Sequence, residues 1–206
     1  MMENFWDNRY KQQDYVYGTV PNNFFKEKLD QIPHPGSILL PAEGEGRNAV
    51  YAAQQGWKVE AFDQSKEGFE KAMKLAECNQ VSIHYTVNSF EDADYPEESF
   101  DVVALIYAHV SGECMKAYYR RLMPFLKKGG YIIFEGFSKQ HVDNQKVNPH
   151  AGGPRDVNML YSKEAVANIF ADCETVLLED TSTELAEGTT HVGNSSIIRY
   201  IGRKND

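Results

Sequence analysis

Short apolar runs alternate with helically spaced apolar stripes along most of the chain. Ser37 to Leu40 is the first run; Ala49, Val50 and Ala53 then recur at helical spacing, and Gly56 is placed to end that helix. Lys58 to Phe62 is the second run, after which Ser65 is a natural N-cap for a helix with Phe69, Ala72, Met73 and Ala76 on one stripe. Ile83 to Val87 reads as a third strand. The stretch DVVALIYAHV, Asp101 to Val110, is apolar without alternation, as a strand buried on both faces must be. Met115, Tyr118, Tyr119, Leu122 and Leu126 mark the next helix. It is predicted to end in Lys127, Lys128, Gly129 and Gly130, ahead of the strand YIIFEGF.

This order predicts an α/β fold, a doubly wound and mostly parallel sheet with helices on both faces. Residues 138–161 break the rhythm with a polar segment holding His141, Asn148, Pro149, Gly152, Gly153 and Pro154, which reads as a functional lid or mobile insertion. A short helix near Ser162 to Phe170 follows. The runs CETVLLEDTSTEL and SSIIRYIGRK are then separated only by turn-prone Glu187, Gly188 and Gly193, so they are expected to pair antiparallel at the sheet edge.

At 206 residues, 42% apolar and 25% charged, the chain has the composition of one domain with a sizeable core. No apolar run approaches bilayer-spanning length, and the N-terminus shows no basic start followed by an apolar stretch, so a cytoplasmic location without membrane contact is expected. The net charge of −9 repels nucleic acid, and the pairs Lys127–Lys128 and Arg120–Arg121 read as solvated helix ends. Cys78, Cys114 and Cys173 stand far apart with no CxxC spacing, which argues for reduced thiols rather than disulfides or zinc.

The chemistry concentrates in SILLPAEGEGRNAVYAAQQGWKVEAFDQS, Ser37 to Ser65. Gly44 and Gly46 let the backbone turn close to a ligand, the following helix aims its N-terminal amides at the same place, and Asp63 closes the next strand where it can accept from a ribose diol. GEGRNA is formally GxGxxA, so this unit by itself suits a nicotinamide dinucleotide as well.

The same segment with SFDVVALI and LKKGGYIIFEGF resembles the class I S-adenosylmethionine-dependent methyltransferases, and within them the tellurite-resistance and thiopurine-type branch. The opening FWDNRYKQQDYVYGTVPNNFF is similar to the aromatic start of that branch, and the likeness runs from Trp6 to about Phe137. It implies a Rossmann-like sheet of seven strands with an antiparallel C-terminal strand. It also implies a single domain over 1–206 with 1–30 as an aromatic lid, and S-adenosylmethionine as cofactor. Carried over position by position, it implies that Gly44 and Gly46 lie against the methionine and ribose portions, Asp63 with Gln64 at the ribose, and Asn88, Ser89 and Phe90 by the adenine, with Tyr17 also on the cofactor. Leu40 and Ala42 stand where the family commonly has an acidic residue and a glycine. Glu43 replaces a frequent cysteine and is expected to face the cofactor's ammonium instead; Asn88 replaces a common Asp.

Methyl transfer from a sulfonium is an in-line displacement, so alignment and exclusion of water matter most and a general base is optional. Tyr107 and His109, after the buried strand, are the catalytic candidates; His109 is a base, a substrate-orienting group or a structural histidine. Trp6, Tyr10, Tyr15 and Tyr17 offer ring faces to a sulfonium, or simply cover the core. Arg9 and Arg155 are candidate anion contacts or surface charges. His141, Asp143 and His150 fit no compact ligand spacing and read as a solvated loop, so no metal is expected. The expected activity is methyl transfer to a small molecule such as a thiol or a chalcogen oxyanion. A nicotinamide-dependent oxidoreductase and a non-catalytic S-adenosylmethionine sensor are the alternatives.

Overall fold

Successive side chains of the central strands point to opposite sides, and both sides are apolar here, so helices must cover both faces of the sheet. The computed structural model describes residues 3–205, leaving Met1 and Met2 of the 1–30 segment outside the described residues. Helices α1 (Glu3–Tyr10) and α2 (Asn23–Asp30) precede β1 (Ser37–Pro41), α3 (Arg47–Gln54), β2 (Lys58–Asp63), α4 (Lys66–Cys78), β3 (His84–Val87) and β4 (Phe100–Ile106). There follow α5 (Gly112–Leu122), β5 (Leu126–Phe137), α6 (His141–Val147), α7 (Lys163–Ile169), β6 (Cys173–Glu187) and β7 (His191–Lys204).

The seven strands form one sheet in the order β3-β2-β1-β4-β5-β7-β6. β1 to β5 are parallel, and β7 runs antiparallel to both β5 and β6. Leu39, Val103, Leu105 and Phe134 pack on one face with Tyr119 and Leu122 of α5 and Phe170 after α7. Ile38, Leu40, Val102 and Ala104 pack on the other with Phe25 of α2, Ala49 of α3 and Ala72 of α4. Leu40 is thus a fully buried core side chain. β1 and β4 are neighbours whose onward connections leave in opposite directions, so a crevice opens at their carboxyl ends.

Four expectations are corrected. β4 ends at Ile106 rather than Val110, because Tyr107 adopts a positive φ of 52° and turns the chain out of the sheet. α5 stops at Leu122, before Pro124, which lies in a 3₁₀ turn and lacks the amide a helix needs. Leu126 therefore pairs with Phe100, and Lys127 becomes a strand residue bridging Asp101 at 2.9 Å rather than a helix-end cation. The C-terminal runs pair antiparallel at the sheet edge as expected, β7 beside β5 and β6 outermost, but Gly193 lies inside β7 rather than in the turn. Segment 138–161 contains α6, which buries His141 and Gln145.

The N-terminal segment is tied down by its own polar groups. Asn22 caps α2, its Oδ1 accepting from Phe25 N–H at 2.9 Å. Asp7 of α1 accepts from Ser65 Oγ at 2.6 Å, seating α1 at the start of α4.

Gly46 shows how closely these layers fit. Its φ is +86°, and a Cβ there would stand 2.6 Å from the Ala72 Cβ and 2.8 Å from the Ala72 Cα. Gly46→Ala is expected to lower stability by about 2–4 kcal/mol through the left-handed backbone and the overlap together, read as a fall in the urea midpoint at unchanged m.

Candidate functional site

A cavity of about 940 Å³ lies at the carboxyl ends of β1, β2 and β4. Glu43, Gly44, Asp63, Gln64, Asn88, Ser89 and Phe90 line it, as do Tyr17, Tyr107 and His109. Gly46 does not: its bare Cα accommodates Ala72 of α4 rather than a ligand. From the N-terminal segment Trp6, Arg9 and Tyr10 reach the cavity, whereas Tyr15 turns away and donates its hydroxyl to the Lys71 carbonyl at 3.1 Å. Arg155 and His150 line the far side.

Asp63 fastens the turn after β1. Its Oδ2 accepts from Gly44 N–H at 3.1 Å and its Oδ1 from Ser65 N–H at 2.9 Å, leaving lone pairs for a further donor. Tyr85 of β3 donates to the Gly44 carbonyl at 2.7 Å and pins the turn from below. Burial raises the Asp63 carboxyl to about 6 against these amides.

Glu43 lines the cavity, and the backbone engages its carboxylate. Its Oε1 accepts from Asn48 and Ala49 N–H, each at 2.8 Å, so it caps α3, whose own N-cap is the side-chain-free Gly46. Burial raises it to about 7, with the two amides and Arg47 pulling the other way.

His109 is braced at both ring nitrogens. Nδ1 lies 2.8 Å from the Met159 carbonyl and Nε2 accepts from Phe137 N–H at 3.1 Å, which fixes a neutral ring with its proton on Nδ1. Burial depresses its pKa to about 3. As a proton acceptor it would have to give up the Phe137 bond, so the base role is corrected to a structural one. Tyr107 is partly exposed to the cavity but buries its hydroxyl, and burial with the nearby Glu135 charge holds that hydroxyl well above its usual range. His141 is likewise buried, its Nε2 at 3.3 Å from the Gly152 carbonyl and its Nδ1 accepting from Ser196 N–H, not part of a solvated loop. No cluster of three or more His, Cys, Asp or Glu with metal-binding geometry exists among the described residues.

Sequence reasoning missed a set of polar groups that close the cavity wall. Buried Glu45 accepts from Val16 N–H at 2.8 Å and pairs with Lys71 at 2.7 Å, holding the N-terminal segment over the turn. Arg47 donates to Glu187 at 2.8 Å and to the Tyr17 carbonyl at 3.1 Å. Asn22 donates to both Glu135 (2.6 Å) and Glu187 (2.9 Å). The partners come from opposite ends of the chain, and no local pattern joins them. Arg9 sits among the rings of Phe5, Trp6 and Tyr17 at 5.6–5.9 Å, and its buried Nε has no hydrogen-bond partner among the described residues.

The glycine turn, the buried Asp63 and strands β1 and β4 that open the crevice all lie within the stretch that known proteins resemble. Residues 38–130 match the methyltransferase domain family. Among curated proteins, a tRNA (uracil(54)-C(5))-methyltransferase of Pyrococcus horikoshii is 27% identical over 50% of this chain, and an uncharacterized methyltransferase, YbaJ, of Bacillus subtilis 29% over 48%. The matches span only 28% and 39% of those proteins' lengths. Three solved structures share the fold. One comes from work on converting a disulfide bond into a thioacetal group during echinomycin biosynthesis (TM-score 0.81, 16% identity, covering 100% of this chain and 93% of that one). TehB from Haemophilus influenzae gives 0.72 at 14% identity over 98% and 67%. Magnesium protoporphyrin IX methyltransferase from Synechocystis PCC 6803, solved with bound SAH, gives 0.71 at 14% over 99% and 98%. The methyltransferase domain match covers the glycine turn, Asp63 and Phe90, and ends at the start of the β5 core. No helix of the described residues is long and apolar enough to cross a membrane.

The two buried acids of this site fix a pH response. A carboxyl whose pKa rises on folding favours the neutral form in the folded chain, so its contribution is full at low pH and is lost as pH rises from the unfolded to the folded pKa. For Glu43 that window runs from 4.5 to about 7, and for Asp63 from 3.8 to about 6. Stability should fall across pH 4 to 7 and level off above; Glu43→Gln should flatten the upper part of the slope, by up to about 3 kcal/mol in chemical denaturation across the window.

Proposed function

We propose that this chain transfers the methyl group of S-adenosylmethionine to a small molecule held in the far half of the cavity. The observation that carries the reading is the pairing of Asp63 with Gly44 across the β1 turn, which presents a buried carboxylate and a close backbone approach at the switch point of the sheet. The methyltransferase match over 38–130 favours this cofactor over a nicotinamide dinucleotide.

The lining suits that cofactor. Asp63 has free lone pairs for the ribose hydroxyls, and Phe90 offers a ring for the adenine, itself stacked on Tyr118 with the planes 5° apart. Tyr17, Tyr10 and Trp6 supply the ring faces a sulfonium prefers, which gives residues 1–30 the part of a lid. Arg9, without a carboxylate partner among the described residues, brings a positive charge to the same wall and suits an anionic group on either ligand. When bound, the cofactor supplies an electrophilic methyl group. The protein's part is to align the acceptor, exclude water and hold the turn rigid through Asp63, Glu43 and Tyr85. His109 positions Phe137 and the Met159 loop around the acceptor.

Enclosure by the aromatic lid, together with a net charge of −9, supports a small acceptor over a nucleic acid. A soft nucleophile, a thiol or a chalcogen oxyanion, is the class proposed. In titration calorimetry the chain should bind S-adenosylhomocysteine, and Asp63→Ala should weaken it roughly 10- to 100-fold, the value of a charge-assisted pair of hydrogen bonds. Absence of heat with both S-adenosylhomocysteine and S-adenosylmethionine would sink the reading.

A further inference from the structure

The turn between β6 and β7 brings a histidine to the cavity that the sequence pattern did not single out. Because β7 is antiparallel to β5, its first residue lies at the edge where the parallel strands end, beside the site. Glu187, the last residue of β6, and His191, the first of β7, are direct register partners. His191 Nδ1 lies 3.2 Å from Glu187 Oε2. That oxygen also accepts from Arg47, and the other accepts from Asn22 Nδ2. Glu187 is buried, which alone would raise it, yet the Arg47 charge and the His191 contact hold it down at about 2, so it is a fixed anion.

A fixed anion on Nδ1 keeps the proton there and leaves Nε2 as the acceptor of the ring. Nε2 has no hydrogen bond among the described residues, and the ring lines the cavity. His109 and His141 both have their two nitrogens engaged by backbone, so His191 differs from each in this respect. The imidazole is boxed by Tyr17 at 4.5 Å, Tyr107 at 4.7 Å and Phe137 at 5.0 Å between ring centroids, which fixes its plane. Gly152 completes the box. A Cβ there would stand 2.5 Å from His191 Cδ2 and 3.3 Å from Nε2, so only glycine lets the 148–154 segment pass without crowding that nitrogen.

We infer that His191, oriented by Glu187, is the general base that removes the proton from the methyl acceptor. The inference rests on the methyltransferase reading and adds to it a residue and a substrate class: acceptors that arrive protonated, such as aliphatic thiols. In the step, the bond between the acceptor atom and its hydrogen breaks and the proton goes to Nε2. The acceptor's electron pair forms the new bond to the methyl carbon, and the carbon–sulfur pair stays with the sulfur, which becomes a neutral thioether. The proton then passes from Nε2 to solvent. Burial lowers the His191 pKa against the pull of Glu187, which keeps the ring unprotonated and ready at neutral pH. The other charged or titratable groups near it include Arg47, Arg9, Tyr17, Tyr107 and His109.

Two measurements on the full chain test the assignment. Diethyl pyrocarbonate acylates imidazole nitrogens that are unprotonated and unengaged, so peptide mass spectrometry should find His191 modified roughly tenfold or more faster than His109. In transfer from S-adenosylmethionine, His191→Gln should depress methylation of 2-mercaptoethanol, a protonated thiol at neutral pH, roughly tenfold or more beyond its effect on thiophenol, which is largely ionised. Acylation of His191 no faster than His109, or an equal loss on both thiols, overturns the base. Failure of the wild-type chain to bind S-adenosylhomocysteine overturns the methyltransferase reading instead, and leaves the acylation result standing on its own.

Discussion

The ion pair between Arg47 and Glu187 is the contact on which the site's walls depend. Its two side chains are only 9% and 12% exposed, so each charge would be stranded without the other. Arg47 opens α3 immediately after the glycine turn, and Glu187 closes β6, so the pair clamps the β1-turn half of the cavity to the C-terminal hairpin. Asn22 extends the clamp to the N-terminal segment by donating to Glu187 and to Glu135, while Glu135 is itself held by Arg199 at 2.7 Å. Removing one member of such a seam costs more than the pair contributes as a whole, because the partner is left charged and dry. Such buried groups are commonly worth about 3–5 kcal/mol on deletion.

Much of the fold was readable because its signals are local. The β1-α3-β2 unit, the capped α4 and the doubly buried β4 each declare themselves within about a dozen residues, and they fix the crevice, its glycine turn and Asp63. The positions misread are those where a neighbour distant in sequence decides. Gly46 looked like a ligand-facing glycine, yet Ala72 of α4 is what needs its bare Cα. His109 looked available, yet Met159 and Phe137 take both its nitrogens. His191 carried no sequence signal of its own. Its meaning depends on Glu187 four residues back, and on Arg47, which is separated from Glu187 by 140 positions.

Glu43 illustrates how a helix start without a side-chain cap of its own is satisfied. A helix that starts at a glycine has no side chain to satisfy its first amides, and here the carboxylate one turn earlier does so. The acid is therefore spent on the backbone that shapes the turn, and Tyr85 and Asp63 secure the same turn from the neighbouring strands. Rigidity at that turn, more than any one ligand contact, is what three separate side chains converge to produce.

The separation between Arg47 and Glu187 also orders events in time. A ribosome delivers β1, α3 and Asp63 well before β6 and β7, so Arg47 emerges long before Glu187, its partner in the clamp. The half of the crevice built from the β1 turn can take shape on the emerging chain, but the half that Glu187 and His191 complete cannot close until the hairpin has left the tunnel. The nascent protein thus passes through a stage in which one wall of the crevice is shaped and the opposite wall is still missing.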